Sequence, residues 1–287
     1  MMGRLFAWFQ YLLPQHALSR VILAATRVRS AGFKNGLIRG FLTLYTVDMS
    51  DAQESDPYAF GSFNEFFTRA LKDGARPIAS GANAIACPVD GQVSEAGAIE
   101  RDLLLQAKGR RYRLTELLAS QPWASRFEGG AFATMYLAPF NYHRVHMPLR
   151  GELRHTVFVP GRLFSVNAVT AQHVPRLFAR NERVLTLFDT GDSGIGQFAV
   201  ILVGALNVGS MATVWAGDIT PAPRRVVTQV PAPPTTLEKG AELGRFNMGS
   251  TVILLFEPGR VRWQPDVRAG TRVRLGQPLG TLLGAKA

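Results

Sequence analysis

The first fifty residues repeat apolar side chains at the spacing of an α-helix. The three stripes are Leu5, Trp8, Phe9, Leu12 and Leu13; Leu18, Val21, Ile22 and Ala25; and Leu37, Ile38, Phe41, Leu42 and Tyr45. Because residues three and four apart share one face of a helix, these stripes predict two or three short amphipathic helices. A further helix is predicted from Phe63 to Leu71, ahead of Gly74 and Pro77.

From about residue 86 onward the pattern changes to short β-branched and apolar runs separated by glycine and proline. The predicted strands are Phe132–Leu137, Leu153–Phe158, Val184–Phe188, Gln197–Leu206, Met211–Trp215, Val252–Phe256 and Arg272–Leu275. Helical spacing is scarce in this part, apart from Leu114–Ser120. The proline-rich segment Pro221–Pro234 is predicted to be a loop.

The C-terminal string from Val267 to Gly280 is similar to the barrel-sandwich hairpin of biotinyl and lipoyl carrier domains. Those domains attach their cofactor to a lysine at a hairpin tip, whereas no lysine lies between Lys239 and Lys286 here. The likeness is therefore one of fold alone. The whole pattern predicts an α+β fold, in which N-terminal amphipathic helices lie on a β-rich body with a barrel-sandwich-like C-terminal part.

The chain of 287 residues carries 32 lysines and arginines and 21 aspartates and glutamates, which gives a formal net charge of +11. Such a surface attracts polyanions, either nucleic acids or anionic membrane faces. Six of the basic residues and one acidic residue lie in residues 1–50. Aromatic helix faces with cationic flanks favour contact with an anionic bilayer. The alternative is that these faces pack on the core of the protein.

Cys87 is the only cysteine, so the chain has no internal disulfide and no cysteine-rich zinc site. A reducing compartment is the simplest interpretation. No window contains 18 uninterrupted apolar residues, so the sequence predicts no transmembrane helix.

Three short strings could carry chemistry and need to be weighed. Gly191–Gly194 resembles the nucleophile motif of chymotrypsin-like proteases, but the companion motifs are missing and a turn is expected. Gly244–Thr251 has the spacing of a phosphate-binding loop, but Ser250 stands where that loop needs lysine. His143 and His146 would share one face of a helix, yet no third ligand has fitting spacing, so we expect no metal.

Several longer strings together resemble the phosphatidylserine decarboxylase family, and they occur in the family's order over most of residues 60–257. They are Phe63–Arg69, Pro88–Gly91, Tyr136–Pro148, Leu177–Arg183 and Gly244–Ile253, and the string Leu13–His16 also fits. The last of the longer strings resembles the family's self-cleavage motif. Met248 stands where many members have leucine, a difference that conserves volume.

The resemblance implies an enzyme that makes a covalent pyruvoyl group from Ser250 and uses it to convert phosphatidylserine to phosphatidylethanolamine through a Schiff base. A ketone next to an amide can accept the electrons left when carbon dioxide departs, as pyridoxal phosphate does. The Ser250 hydroxyl would attack the carbonyl of Gly249, and elimination would then break the chain. This cleavage would leave a β chain of residues 1–249 and an α chain of residues 250–287.

The resemblance also assigns roles to four residues. Asp90, His146 and Ser250 would form a set of orienting carboxylate, base and nucleophile. His143 would handle the substrate, as a proton donor after carbon dioxide leaves. Spacing alone does not separate the roles of the two histidines.

A lipid substrate would explain the basic N-terminal helices, because they could bind the anionic bilayer that contains it. We therefore expect a membrane-associating region of residues 1–50 and a β-rich catalytic domain of residues 51–287, peripheral on the cytoplasmic side of the inner membrane. The expected partners are phosphatidylserine and the two chains of the precursor, with no nucleic acid and with a homodimer left open. The alternative function is a non-catalytic basic β-barrel protein that binds membrane or nucleic acid, which would stay a single chain.

Overall fold

The computed structural model describes residues 2–107, 109–191, 196–206, 210–220, 225–229, 234–248 and 251–284. Within these ranges the N-terminal part is helical and the remainder consists mainly of short strands. The α+β prediction is therefore confirmed. Two predicted features lie wholly or partly outside the described residues: the string Gly191–Gly194 beyond its first glycine, and most of the segment Pro221–Pro234.

Three helices occupy the N-terminal region, as the apolar stripes predict: α1 (Met2–Leu12), α2 (Gln15–Thr26) and α3 (Ala31–Leu44). Pro14 stands between the first two, since proline is tolerated at a helix start but not in a helix interior. The later helices in the described residues are shorter: α4 (Phe63–Phe67), α5 (Leu114–Leu117), α6 (Ala168–His173) and α7 (Leu177–Arg180). None of the described helices is both long and apolar enough to cross a bilayer.

The strands of the described residues are two to nine residues long and begin at Ala84. They are β1 (Ala84–Ala86), β2 (Gly91–Ala98), β3 (Leu103–Ala107), β4 (Arg110–Arg113), β5 (Ala131–Tyr136), β6 (Arg144–His146), β7 (Gly151–Val159), β8 (Arg183–Asp189), β9 (Gln197–Val203), β10 (Met211–Thr213), β11 (Gly217–Asp218), β12 (Val227–Gln229), β13 (Thr235–Leu237), β14 (Glu242–Phe246), β15 (Thr251–Phe256), β16 (Val261–Trp263), β17 (Arg272–Val273) and β18 (Pro278–Leu282).

The largest sheet in the described residues has the strand order β12-β7-β8-β9-β15-β5-β2-β17, and β13 also pairs with β7. Its central strand β15 pairs antiparallel with both β5 and β9 along all six residues. Every side chain of β15 is buried, which explains why its sequence is a continuous apolar run rather than an alternating one.

A second sheet, in the order β11-β10-β14-β6, positions the candidate site. The chain leaves this sheet at Phe246, the end of β14, and enters the large sheet at Thr251, the start of β15. The crossing segment contains the predicted cleavage site. Gly249 and Ser250 themselves lie outside the described residues.

Several segments differ from the sequence prediction: the predicted helix Leu114–Ser120 ends at Leu117, several predicted strands end earlier, and the helices α6 and α7 were not predicted. Two further differences show the physical reason. The helix expected from Phe63 to Leu71 ends at Phe67, because Ala70 and Leu71 pair with the backbone at residues 52 and 53. The loop expected over Pro221–Pro234 contains the strand β12, since residues 227–229 add to the edge of β7. In both places a long-range backbone pairing overrides the local pattern.

Candidate active site

His143 and His146 do not lie on a helix, as a metal-binding pair of this spacing would require. His146 ends the strand β6 and His143 directly precedes it. The main chain of β6 pairs with β14, and the amide of Phe246 donates to the carbonyl of His143 over 3.0 Å. Both histidines are thus tied to the strand that leads into the predicted cleavage site. In the described residues, no three His, Cys, Asp or Glu side chains come together as a metal site.

The His143 imidazole is fully buried, and its ring lies 4.0 Å from the ring of Phe67 between centroids. Its Nδ1 lies 2.8 Å from the carbonyl oxygen of Asn141. Because a carbonyl only accepts, Nδ1 carries the hydrogen and Nε2 presents its lone pair. Nε2 has no hydrogen-bond partner among the described residues. Burial, with the positive charge of Arg69 as a second cause, lowers the pKa of His143 to about 3. His143 is therefore a neutral base with a free lone pair.

The His146 imidazole is held at both nitrogens. Its Nδ1 donates to the carbonyl of Gly240 over 2.8 Å, so the Tyr142 hydroxyl is the donor to Nε2, over 2.9 Å. Burial lowers the pKa of His146, so this imidazole is also neutral near pH 7. The lone pair that a general base needs is present, but the tyrosine hydroxyl occupies it.

Asp90 lies in the turn before β2 and is buried. Arg76 donates to its carboxylate from Nη2 over 2.7 Å and from Nε over 3.1 and 3.2 Å, and the amide of Leu275 donates over 2.8 Å. Among the described residues no hydrogen bond joins Asp90 to His146, although the amide of His146 donates to the carbonyl of Pro88 nearby over 2.9 Å. Asp90 and His146 therefore lie in the same part of the structure, but each side chain has hydrogen-bond partners other than the other one. Their roles stay a prediction.

Glycine is required next to Asp90. A Cβ on Gly91 would lie 2.4 Å from the carbonyl oxygen of Tyr136, which is closer than real contacts allow. The same holds for Gly244 on β14, where a Cβ would lie 2.2 Å from the carbonyl oxygen of Ala212. These glycines let neighbouring strands approach around the site.

The described residues on either side of the predicted cleavage site are held by hydrogen bonds and strand pairing. Asn247 is buried, its amide N–H donates to the carbonyl of Ser210 over 2.9 Å, and its side-chain nitrogen donates to Asp218 over 3.2 Å. The Asn64 side chain donates to the Asn247 carbonyl over 3.1 Å. Beyond the site, Thr251 pairs in register with Tyr136 and Val203. Ser250 therefore follows one anchored segment and precedes another.

A cavity of about 530 Å³ opens beside these groups. Asp90, Asn141 and Tyr142 line it, so it borders both histidine sites. The cavity is strongly charged. Its arginines are Arg69, Arg76, Arg272 and Arg274, and its acids are Asp48, Asp51 and Asp90. Asn141 and Tyr142 in the cavity wall contact the two neutral imidazoles, and the charged side chains of the wall suit a small, ionic substrate group.

Sequence reasoning missed the partners of the predicted residues. Tyr142 and Asn247 lie inside strings that the sequence singles out, but nothing in those strings marks them as the donor to His146 or the anchor of the cleavage segment. Arg76 has no signal in the sequence, because its contact with Asp90 joins a loop to the turn before a strand. Such pairings become visible only in three dimensions.

Fold and site together define a class of protein: an α+β protein with two neutral imidazoles that can transfer protons. They lie near a cavity that suits a small ionic group and near the segment that joins β14 to β15. Comparison with known proteins makes this specific. A family model described as phosphatidylserine decarboxylase matches residues 63–281, and a second, described as PSD, matches residues 5–46. The chain belongs to the phosphatidylserine decarboxylase family.

Full-length relatives carry the same name, phosphatidylserine decarboxylase proenzyme. The protein from Pseudomonas fluorescens is 52% identical over 285 residues, which covers 98% of each chain. The protein from Pseudomonas aeruginosa is 54% identical over 281 residues, or 96% of each chain. That from Methylococcus capsulatus is 50% identical, over 97% of this chain and 96% of its own.

Proposed function

We propose that this chain decarboxylates phosphatidylserine to phosphatidylethanolamine with a pyruvoyl group made from its own Ser250. The observation that carries the proposal is its relation to phosphatidylserine decarboxylase proenzymes over at least 96% of its length. The described residues fit such a group, because His143, whose buried Nε2 has no partner among them, is bonded through its backbone carbonyl to Phe246 at the end of β14. When formed, a pyruvoyl group supplies the electron sink for the carbanion that carbon dioxide leaves behind.

Maturation begins with the Ser250 hydroxyl as nucleophile. Its oxygen bonds to the carbonyl carbon of Gly249 while the Gly249–Ser250 amide bond breaks, which gives an ester. Loss of the α-proton of residue 250 then expels the Gly249 carboxylate and leaves dehydroalanine, and water replaces its nitrogen as ammonia. His146 is the base for the serine proton, which requires the Tyr142 hydroxyl to leave Nε2 or to pass the proton on.

His143 serves the decarboxylation itself. At neutral pH the substrate amine is an ammonium group, and it must lose a proton before it can react with a carbonyl carbon. When the anionic headgroup enters and raises the pKa of this imidazole, the free lone pair on Nε2 of His143 accepts that proton. The resulting imidazolium returns a proton to the carbon that has lost carbon dioxide. A neutral resting imidazole is what this order of events needs, and its burial supports that state.

The test is the intact mass of the purified protein. Cleavage with pyruvoyl formation predicts two chains, 1–249 and 250–287. The smaller chain should be lighter than a serine-initiated chain by the mass of one ammonia molecule, because the two groups differ by NH3 alone. Ser250→Ala should stay one inert chain. Ser193→Ala is the matched control from the protease-like string and should mature and turn over normally. A small chain that begins entirely with free serine would refute the pyruvoyl proposal.

The membrane part of the proposal rests on α1. This helix turns its small and polar side inward, where Ala7 and Gln10 are buried, and Gln10 accepts from the amide of Ser165. Its apolar side faces outward, with Leu5, Trp8, Phe9 and Leu12 exposed by 61%, 71%, 59% and 82%. Soluble proteins rarely leave such a stripe uncovered. We assign it to a phosphatidylserine-bearing bilayer, on the cytoplasmic side of the inner membrane, because the substrate resides in a bilayer.

The third stripe behaves differently. Ile38 of α3 is fully buried, and the ring of Phe41 lies 5.4 to 6.1 Å from those of Phe63, Phe66 and Phe67. Met248, next to the cleavage site, packs against the same cluster. The alternative that the sequence left open, packing on the core, therefore describes α3, and the bilayer proposal is confined to the outward face of the first helices.

A further inference from the structure

The arginines of the cavity differ in how their charge is balanced. Arg76 pairs with Asp90 and Asp51, and Arg274 pairs with Asp51. Asp48, the third acid of the cavity, accepts hydrogen bonds from Ser50. Within the described ranges no carboxylate lies within ion-pair distance of Arg69 or Arg272. The cavity therefore has more positive charge than its own acids neutralise.

Arg69 is the unusual member of this group. Its side chain is only 5% exposed, yet its one hydrogen bond among the described residues is to the carbonyl of Phe140, over 3.3 Å, and its buried Nε has no partner. A buried guanidinium without a carboxylate is costly unless something else supplies the negative charge. It lines the cavity, so that charge can come from a ligand.

The sheet places the same cavity beside the cleavage site. Thr251, Tyr136, Gln92 and Arg272 stand opposite one another on the adjacent strands β15, β5, β2 and β17. Residues paired in this way project from the same face of a sheet. Three of the four line the cavity, and the fourth follows Ser250 in the chain. A group bound by the arginines therefore lies on the same face of the large sheet as the side chain of Thr251.

Resting on the proposed function, we infer that Arg69, with Arg272 at the outer edge, binds the phosphodiester of the lipid headgroup. The substrate carries two anions, a carboxylate and a phosphodiester. An arginine on the carboxylate would stabilise the ground state more than the transition state, because that charge moves away as carbon dioxide leaves. The phosphodiester keeps its charge from substrate to product, so arginine can hold it throughout without opposing the reaction. Planar guanidinium groups suit phosphate oxygens well.

The experiment uses the mature protein and lipids with acyl chains short enough to stay monomeric in water. Uniform binding affects KM rather than kcat. Arg69→Gln should therefore raise KM for short-chain phosphatidylserine roughly tenfold to a hundredfold, the range for a charge-assisted hydrogen bond, and change kcat little. Arg69→Lys, which keeps the charge, should recover part of the loss. Arg113→Gln, which breaks a surface pair with Asp102, is the control for net charge and should change neither constant.

Direct binding separates this inference from the proposed function. Short-chain phosphatidylglycerol has the phosphodiester but no carboxylate or amine, and free serine has the reverse. Calorimetry should show that Arg69→Gln weakens phosphatidylglycerol binding and leaves serine binding unchanged, whether or not the protein turns over phosphatidylserine. Unchanged phosphatidylglycerol affinity, or loss of serine binding alone, would overturn the assignment and place the carboxylate at Arg69.

Arg69 is buried, so its variants need a check on folding. Arg272 is exposed on the edge strand β17, and Arg272→Gln removes its charge without disturbing the core. This variant should weaken phosphatidylglycerol binding in the same direction with an unchanged thermal midpoint. If Arg272→Gln folds normally and binds phosphatidylglycerol as the unsubstituted protein does, its part in the subsite is refuted.

Discussion

Replacing Trp8 and Phe9 with serine removes two large side chains from the outward face of α1. With ~200 Å² for an aromatic side chain, their exposed fractions of 71% and 59% amount to roughly 260 Å². At about 25 cal/mol per Å², full insertion into a bilayer would be worth ~6 kcal/mol and insertion to half that depth ~3 kcal/mol. The double variant should therefore partition onto vesicles about a hundredfold less well. Because both side chains face away from Ala7 and Gln10, the fold should not change.

Co-sedimentation with phosphatidylserine vesicles measures the loss, and turnover of monomeric short-chain phosphatidylserine measures the intact site. Val214→Ser with Val226→Ser, two exposed apolar residues of the β-rich part, is the matched control and should leave both readouts unchanged. Equal loss of activity on vesicles and on soluble lipid would mean that α1 supports the fold rather than the membrane. A concentration-dependent dimer that disappears in the double variant would assign the stripe to a second copy of the chain.

The salt dependence of vesicle binding should be weaker than six basic residues suggest. Arg27 pairs with Asp218, Arg29 pairs with Glu65, and Lys34 is buried with its ammonium on the carbonyl of Tyr58. Among the basic side chains that the structure describes in this region, Arg20 and Arg39 remain exposed without a carboxylate partner. At about 1 kcal/mol per cation near an anionic surface, high salt should weaken binding modestly and not abolish it.

Further outcomes are expected for residues of the site and for one buried acid. Asp90→Ala and His146→Ala should stall chain cleavage, seen on a denaturing gel, whereas His143→Ala should cleave and then fail to turn over substrate; the opposite result would exchange the two histidines. Tyr142→Phe should cleave at least as fast as the unsubstituted chain, because it frees Nε2 of His146; slower cleavage would identify the hydroxyl as a proton relay. Burial raises the pKa of Glu182 from 4.5 to about 7. Between these two pH values the folded state binds more protons than the unfolded state. The free energy of unfolding should therefore fall as the pH rises from 4.5 to about 7, by on the order of 3 kcal/mol. Glu182→Gln should remove that fall in urea titrations at pH 5 and 8.

The spacing of apolar residues in the sequence was sufficient to predict which segments are helices and which are strands. It was insufficient to predict what the apolar face of each helix contacts. The stripes on α1 and α3 look alike in the sequence, yet one faces outward and the other packs on α4. A helical stripe tells which residues share a face and not what lies opposite that face. The buried strands were predictable for a related reason, since a continuous apolar run such as Val252–Phe256 can only be satisfied by burial on both sides.

The sequence singles out the candidate residues of the site, and it does not predict the contacts that these residues make. The strings around His143, His146 and Asp90 point to the family, and the structure places all three near the strand crossing. Their partners come from elsewhere in the chain: Arg76 for Asp90 and the Gly240 carbonyl for His146. Hydrogen bonds between residues so far apart leave no periodic trace, so only the assembled fold can supply them.

The positive charge of Arg69 connects the inferred phosphodiester subsite to the chemistry of His143. In the free protein this charge is the second cause, after burial, of the lowered pKa of His143. An anion bound at Arg69 would offset that charge, so ligand binding should raise the pKa of His143 and make it a stronger base only when substrate is present. Proton-detected NMR titration of the imidazole, with and without short-chain phosphatidylglycerol, measures the change. Arg69→Gln should raise the pKa in the free protein and abolish the response to ligand. A pKa that ignores both the ligand and the substitution would show that the two sites act independently.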